Sequence, residues 1–362
     1  MLRALYSRIR SKLAHNADAR KPLSRKSALR KDKSRRRPVH GDHGCARDIE
    51  YVFRQRRYAG SRDREYLVHL PPAYRRGRRL PVVMILHGCD QDHHAIRHVA
   101  HFDRIADEHG IIVVYPFVTS YETPRMRNCW AFWSSRQNRA GAGEIEDLWQ
   151  ILNDVRKRFG ADPGRLHVAG LSSGAAMAVA LLVNRCDRIA SGAEIAGLPF
   201  AETASALGQS NPRLKSVDRV AEAMDDAMGA RKRQVPLLVV HAADDPVISS
   251  TAAEHIRDSW GLCFAIDTTS PVWSRSGEDR GTVWENRRYR CGDSGGLIET
   301  LLLDHSQHGW YGGRDGRYGF TDAPDVSRRV WAFLDANRLD VTGSGGIFRR
   351  GSGRRGVGRR VA

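Results

Sequence analysis

The segment Gly170-Leu171-Ser172-Ser173-Gly174 has the residue types and spacing of a nucleophile turn. It follows the apolar run 165–169 and precedes the small residues Ala175-Ala176-Met177-Ala178, so a strand is predicted to pass through a tight turn into a helix. The glycines leave room for a strained turn that lifts the Ser172 hydroxyl above a sheet, and the helix N-terminus faces any anion that develops there. A serine hydroxyl attacks only once a histidine takes its proton, and that histidine needs a carboxylate to fix its tautomer. In folds built on this turn, the acid follows a later strand and the histidine follows the last one. The run 236–241 leads into Ala242-Ala243-Asp244-Asp245, and the run 297–303 leads into Asp304-His305-Ser306-Gln307-His308. The expected set is Ser172 as nucleophile, Asp245 as orienting acid and His308 as base, with Asp244 and His305 as local alternatives. The amides of Ser173 and of Cys89, the latter within His87-Gly88-Cys89-Asp90-Gln91, are the expected oxyanion donors, and His87 reads as a brace for that loop. This is acyl transfer through a covalent acyl-serine, and it calls for no cofactor.

Positioning these groups requires a sheet. Strands are predicted at 65–70, 81–87, 111–115, 165–169, 190–195, 236–241 and 297–303, and helices at 95–109, 144–159, 173–184, 217–228, 251–260 and 323–337. Their alternation predicts an α/β chain with one doubly wound, mostly parallel sheet. The expected organisation is a basic N-terminal arm at 1–40, a single catalytic domain at 41–340 and a Gly/Arg-rich tail at 341–362. The formal charge of +18 sits in the two ends: residues 1–40 carry +12, residues 341–362 carry +6, and the 300 between hold 39 basic and 39 acidic residues. Leu2, Leu5, Ile9 and Leu13, interleaved with Arg3, Arg8, Arg10 and Lys12, have the spacing of a short basic amphipathic helix, while 20–37 has a disordered composition. Nonspecific contact with a polyanion or a granule surface is the partner expected of these tails. No apolar run reaches the roughly 18 residues of a spanning helix, and the N-terminus lacks the apolar core of a secretory signal, so a cytoplasmic location is expected.

Several features invite other chemistry. The segment Cys291-Gly292-Asp293-Ser294-Gly295-Gly296 has the look of a protease nucleophile region, but no matching histidine and aspartate framework precedes it, and a hairpin turn is expected there. His94, His98 and His101 would share one helix face near Asp92 and His93; without a carboxylate at helical spacing they read as solvated or capping residues, and no metal site is expected. Six cysteines without a CxxC pair support neither a disulfide scaffold nor zinc. The long loop 117–143 carries Tyr121, Trp130, Phe132 and Trp133, which with Trp310 and Tyr311 are expected to line a neutral, aromatic cleft for an uncharged substrate, a core role being the alternative.

In combination these residues resemble the polyhydroxybutyrate depolymerase-like esterases of the α/β-hydrolase fold, which include feruloyl and acetyl-xylan esterases. The resemblance rests on Leu86-His87-Gly88-Cys89-Asp90-Gln91, Tyr115-Pro116, Asn128-Cys129-Trp130, the 170–177 segment, Ala196-Gly197-Leu198-Pro199, the 241–245 segment and His308-Gly309-Trp310-Tyr311-Gly312-Gly313, and it covers roughly residues 60–335. It implies a serine carboxylic-ester hydrolase with Ser172, Asp245 and His308 in the roles given above and the Cys89 amide as an oxyanion donor. Short-chain hydroxyalkanoate esters are the implied substrates, feruloyl or acetyl esters of plant polysaccharide the second reading, and an extracellular location the alternative compartment. The family's layout also suggests a Cys89–Cys129 pair, with reduced thiols equally open at this point. The chain departs from the family in having Asp244 beside the acid, Trp310-Tyr311 after the histidine, and Phe200-Ala201-Glu202 where a cysteine often stands. A reading from a different class makes the chain an idle hydrolase body that coats a polyanion or granule through its tails.

Overall fold

The computed structural model describes residues 45–119, 128–206, 213–290 and 297–341. Short β-branched runs pair into one ten-stranded sheet in the order β1-β2-β4-β3-β5-β6-β7-β10-β9-β8. These strands are β1 (Arg47–Phe53), β2 (Arg64–Leu70), β3 (Val82–Leu86), β4 (Ile112–Pro116), β5 (Leu166–Leu171), β6 (Ser191–Ile195), β7 (Leu237–Ala242), β8 (Trp273–Asp279), β9 (Thr282–Arg290) and β10 (Leu297–Leu303). The six central strands from β4 to β10 run parallel, while β1 and β2 on one side and β9 and β8 on the other are antiparallel. Central strands such as Val-Val-Met-Ile-Leu in β3 are buried throughout because helices cover both faces.

One face carries α1 (His93–Ala100), α2 (Phe102–His109) and α7 (Val326–Asp335); the other carries α3 (Gly143–Phe159), α4 (Ser173–Asn184), α5 (Val217–Met228) and α6 (Thr251–Phe264), each face with its own apolar cluster. All twelve residues of α4 are buried, and its Ala-rich sequence lets it lie close on the sheet. Among the described residues no helix is long and apolar enough to cross a membrane.

The seven predicted strands all form, with ends within two residues of the reading. Sequence reasoning missed β1 and the β8–β9 hairpin: β1 and β8 are mostly exposed, and β9 sets Glu285, Arg287, Arg288 and Arg290 among the buried Thr282, Trp284, Asn286 and Tyr289. The helix read at 95–109 is two helices. His101 takes the left-handed conformation at φ 49°, donates its N–H to the Arg97 carbonyl and ends α1, and α2 starts at Phe102. The three histidines therefore do not share one face: His94 lies 3.9 Å from Glu50, His98 Nε2 lies 3.1 Å from the Asp315 carbonyl, and His101 is the cap between helices. The 291–296 segment lies outside the described residues, but its flanks pair antiparallel, Arg290 opposite Leu297. Also outside are both basic tails and Tyr121.

Candidate active site

Strands β5, β7 and β10 are parallel, so the loops that follow them leave the sheet at one edge. Ser172, Asp245 and His308 stand on those three loops. Ser172 joins β5 to α4 at φ 57° and ψ −120°, a conformation that costs a non-glycine residue about 1–3 kcal/mol. The surrounding packing imposes it. Ser172 N–H donates to the Ile195 carbonyl at 2.9 Å, and a Cβ on Gly170 would come within 2.3 Å of the Gly174 carbonyl oxygen, one on Gly174 within 2.4 Å of the His87 carbonyl oxygen. Glycine is thus required on both sides for the strand, the helix start and the loop after β3 to meet.

Asp245 is fully buried in the turn after β7. Its Oδ1 accepts the N–H groups of Val247 and Ile248 at 2.8 and 2.9 Å, and its Oδ2 lies 2.7 Å from His308 Nδ1. Burial pushes the Asp245 pKa up, but the His308 hydrogen bond and charge, His241 and the Ile248 amide together hold it below the usual aspartate value. A carboxylate there can only accept, so Nδ1 of His308 carries the hydrogen and Nε2 is the basic nitrogen of the neutral ring. His241 Nε2 donates to the Ile248 carbonyl at 3.0 Å and lies 3.8 Å from Asp245 Oδ2; burial lowers its pKa.

The structure separates the two alternatives from this pair. Asp244 donates its N–H to the His305 carbonyl at 3.2 Å, and both residues line a polar cavity of about 300 Å³ with Asp304, Asp322 and Arg280. His305 Nε2 faces Asp322 at 3.4 Å rather than Asp245.

The loop after β3 abuts Ser172, since a Cβ on Gly88 would lie 3.3 Å from Ser172 Cβ. The Cys89 N–H has no hydrogen-bond partner among the described residues, and the Ser173 N–H opens α4. Both are donors of the kind that stabilise an oxyanion. Gln91 staples the loop: its Oε1 accepts the Gly88 N–H at 2.9 Å, its Nε2 donates to the Arg317 carbonyl at 3.2 Å, and its own carbonyl accepts from Asn128 Nδ2 at 3.0 Å. A disulfide joins Cys89 to Cys129 across the same loop, with Cα atoms 4.2 Å apart. His87 lies buried below, Nδ1 2.8 Å from the Gly88 carbonyl and Nε2 accepting the Val118 N–H at 3.2 Å; burial pushes its pKa down to about 4, so the ring is neutral. The roles of Gln91 and Asn128 were missed in the sequence, although both stand inside the motifs quoted for the resemblance.

The aromatic cleft needs correction. Trp130, Trp310 and Tyr311 are wholly buried. Trp130 Nε1 donates to the His87 carbonyl at 3.0 Å, making it a strut beneath the loop. Trp310 Nε1 donates to Ser327 Oγ at 3.0 Å, and Tyr311 OH to the Gln307 carbonyl at 2.7 Å; both residues form the short strand β11 (Trp310–Tyr311) that pairs with β12 (Gly319–Phe320). With their polar ends satisfied inward, these rings are core. Of the expected cleft aromatics among the described residues, Trp133 alone stays half-buried, packed edge-on against the buried Phe132 at 5.0 Å in an apolar cluster with Ala176, Leu198, Ile248 and Ala252. That cluster is built from segments following β4, β5, β6 and β7, and Ala176 N–H bonds to the Ser172 carbonyl at 3.0 Å, so it flanks Ser172.

A family model for the esterase PHB depolymerases matches residues 64–284, more than half of the chain. The chain belongs to the PHB depolymerase esterase family. The match takes in Cys89, Ser172 and Asp245 and ends before His308. Among curated relatives, poly(3-hydroxyalkanoate) depolymerase C of Paucimonas lemoignei is 24% identical over 234 residues, covering 63% of this chain and 55% of that one. A probable acetylxylan esterase A of Aspergillus flavus is 26% identical over 209 residues, covering 54% of this chain and 66% of that one. The chain thus spans between about half and two thirds of the length of these relatives. The solved acetyl xylan esterase of Aspergillus awamori superposes with a TM-score of 0.56 at 16% identity over 68% of this chain and 89% of that one, which is a likeness of fold.

Proposed function

We propose that this family member is a serine hydrolase that cleaves carboxylic esters through an acyl-enzyme. The observation that carries the reading is the 2.7 Å contact between His308 Nδ1 and a buried Asp245, on the same sheet edge as a serine held at positive φ. In this mechanism His308 Nε2 takes the Ser172 proton while Oγ bonds to the ester carbonyl carbon. The Cys89 and Ser173 amides stabilise the oxyanion. The carbon–oxygen bond to the alcohol then breaks, the alcohol leaves with the proton from His308, and a water activated by the same nitrogen releases the acid.

Short-chain hydroxyalkanoate esters are the leading substrate class, supported by the family and by the depolymerase relative. The half-buried Trp133, backed by the apolar cluster of Phe132, Leu198 and Ile248, suits an uncharged acyl group. Acetyl or feruloyl esters of plant polysaccharide are the second reading, favoured by the acetylxylan esterase relative. Residues 41–340 are the catalytic domain in this reading. The Cys89–Cys129 disulfide supports an oxidising, extracellular place of work. Competition between 3-hydroxybutyrate oligomers and acetylated xylan tests the order: a higher kcat/KM on the oligomers is expected, and a preference for the acetylated polysaccharide exchanges the two readings.

A further inference from the structure

Strand β6 reads Ser-Gly-Ala-Glu-Ile, and its fourth residue places the carboxyl of Glu194 wholly out of solvent. The register sets Glu194 opposite Gly170, the first glycine of the nucleophile turn. Its Oε2 accepts the Gly197 N–H at 2.8 Å, and its Oε1 has no hydrogen-bond partner among the described residues. Space around this bond is fully used, since a Cβ on Gly197 would lie 2.6 Å from both Glu194 Oε2 and Ala175 Cβ. The turn that Glu194 closes runs through Ala196 at φ 52°, a left-handed conformation that favours glycine. Between them stands Ile195, whose carbonyl accepts the Ser172 N–H. The carboxyl therefore fastens a strained turn that touches the nucleophile's backbone on one side and the first turn of α4 on the other.

We infer that Glu194 is a positioning residue for Ser172 that works only as the neutral carboxylic acid, so that its ionisation sets an alkaline limit on turnover. This inference rests on the ester-hydrolase reading. The surroundings favour the neutral form. Burial pushes the Glu194 pKa up to about 8, with only the Gly197 N–H pulling the other way. From β5 it meets Gly170, and from α4 the first turn at Ala175 and Ala176, none of them ionisable. On β7 the titratable residue of the same sheet face is His241, whose pKa burial lowers and whose Nδ1 is likewise unpartnered. Further off, on β11, stands Tyr311, a phenol raised by burial, by Asp245 and in part by Glu194 itself. An anion formed here would have one N–H for two oxygens, and the turn would have to open or admit water to solvate it.

The test is the pH dependence of kcat/KM on a butyrate ester from pH 6 to 10, with Ser172→Ala run alongside for background hydrolysis. The parent is expected to lose about tenfold between pH 7 and pH 9, as a single ionisation near 8 requires. Glu194→Gln, which keeps a neutral acceptor for Gly197, should retain the acidic limb and stay flat to pH 9, while Glu194→Leu should be impaired at every pH. The melting temperature of the parent should also fall relative to Glu194→Gln from pH 6 to about pH 8, where the folded carboxyl alone holds its proton, and level off above. An alkaline fall in Glu194→Gln parallel to that of the parent, or loss of its turnover at neutral pH, overturns the inference alone. Absence of turnover by the folded parent at every pH overturns the ester-hydrolase reading and the inference with it.

Discussion

Asp245 stays charged in a buried site because two amides and one imidazole N–H share its two oxygens. Asparagine at this position would keep the shape but offer His308 an amide that favours the wrong tautomer, so Asp245→Asn should lower kcat by about 10³–10⁴-fold with the fold retained. Asp244→Asn, which touches only the polar cavity, should leave kcat within about twofold; stopped-flow turnover and circular dichroism on both variants check the pair. Because the folded pKa of Asp245 lies below the ordinary value, its stabilising contribution is present above pH 4 or so and disappears as pH falls through the folded value. That Ser172, Asp245 and His308 gather at one sheet edge was legible from their order along the chain. The choice between adjacent aspartates was not, since spacing treats them alike and only the turn that feeds the Val247 and Ile248 amides to Asp245 separates them. Glu194 left one signal, a lone acid inside an apolar strand. Trp310 and Tyr311 were misread because an aromatic near a catalytic histidine looks the same in sequence whether it faces substrate or core.

The loop after β3 supplies the Cys89 amide of the proposed oxyanion hole, and the Cys89–Cys129 disulfide closes a span of 40 residues across it. Loop entropy for a span of that length gives about 4 kcal/mol of stability as an upper figure. Cys89→Ser with Cys129→Ser should therefore lower the melting temperature and also kcat, because the Cys89 amide loses its anchor; an unchanged kcat would remove that amide from the oxyanion role. At the far edge, β1 is held by His69, whose Nδ1 lies 2.8 Å from Asp48 and Nε2 2.9 Å from Asp107, with Arg97 bridging Asp48 and Asp103. Asp48, His69 and Asp103 converge closely enough to hold a metal ion, but the Arg97 guanidinium already neutralises them. Burial lowers the His69 pKa, yet Asp103, Asp48 and Asp107 together raise it above the ordinary value. The stability it adds is complete below about pH 6.5 and fades as pH rises through the higher folded value. His69→Gln should thus be less stable than the parent at pH 5.5, with the gap narrowing by pH 9 in urea unfolding. The central parallel strands were legible because burial on both faces writes a continuous apolar run. The edge strands β1 and β8 were not, because exposure lets them carry charge, nor was β9, whose buried residues are interrupted by Glu285, Arg287 and Arg288; the break at His101 depends on one residue in a left-handed conformation.

At the scale of the whole molecule, the sheet brings together three loops separated by more than 130 residues of sequence, from Ser172 to His308. The parallel central strands followed from the alternating pattern; the full strand number and the strand order did not, since pairing depends on contacts that no local run encodes. The basic ends carry the whole net charge of +18, while the 300 residues between them are neutral. Trimming the chain to 41–340 should leave kcat/KM on a small uncharged ester within about twofold and abolish salt-dependent binding to a polyanion such as heparin. Loss of turnover on trimming would assign the tails to the catalytic unit. The most direct measurement of the central claim is hydrolysis of a chromogenic butyrate ester by the full chain and by Ser172→Ala. Turnover that falls at least about 10³-fold in Ser172→Ala is the predicted result, and equal turnover in that variant, or none in a well-folded parent, would contradict the account.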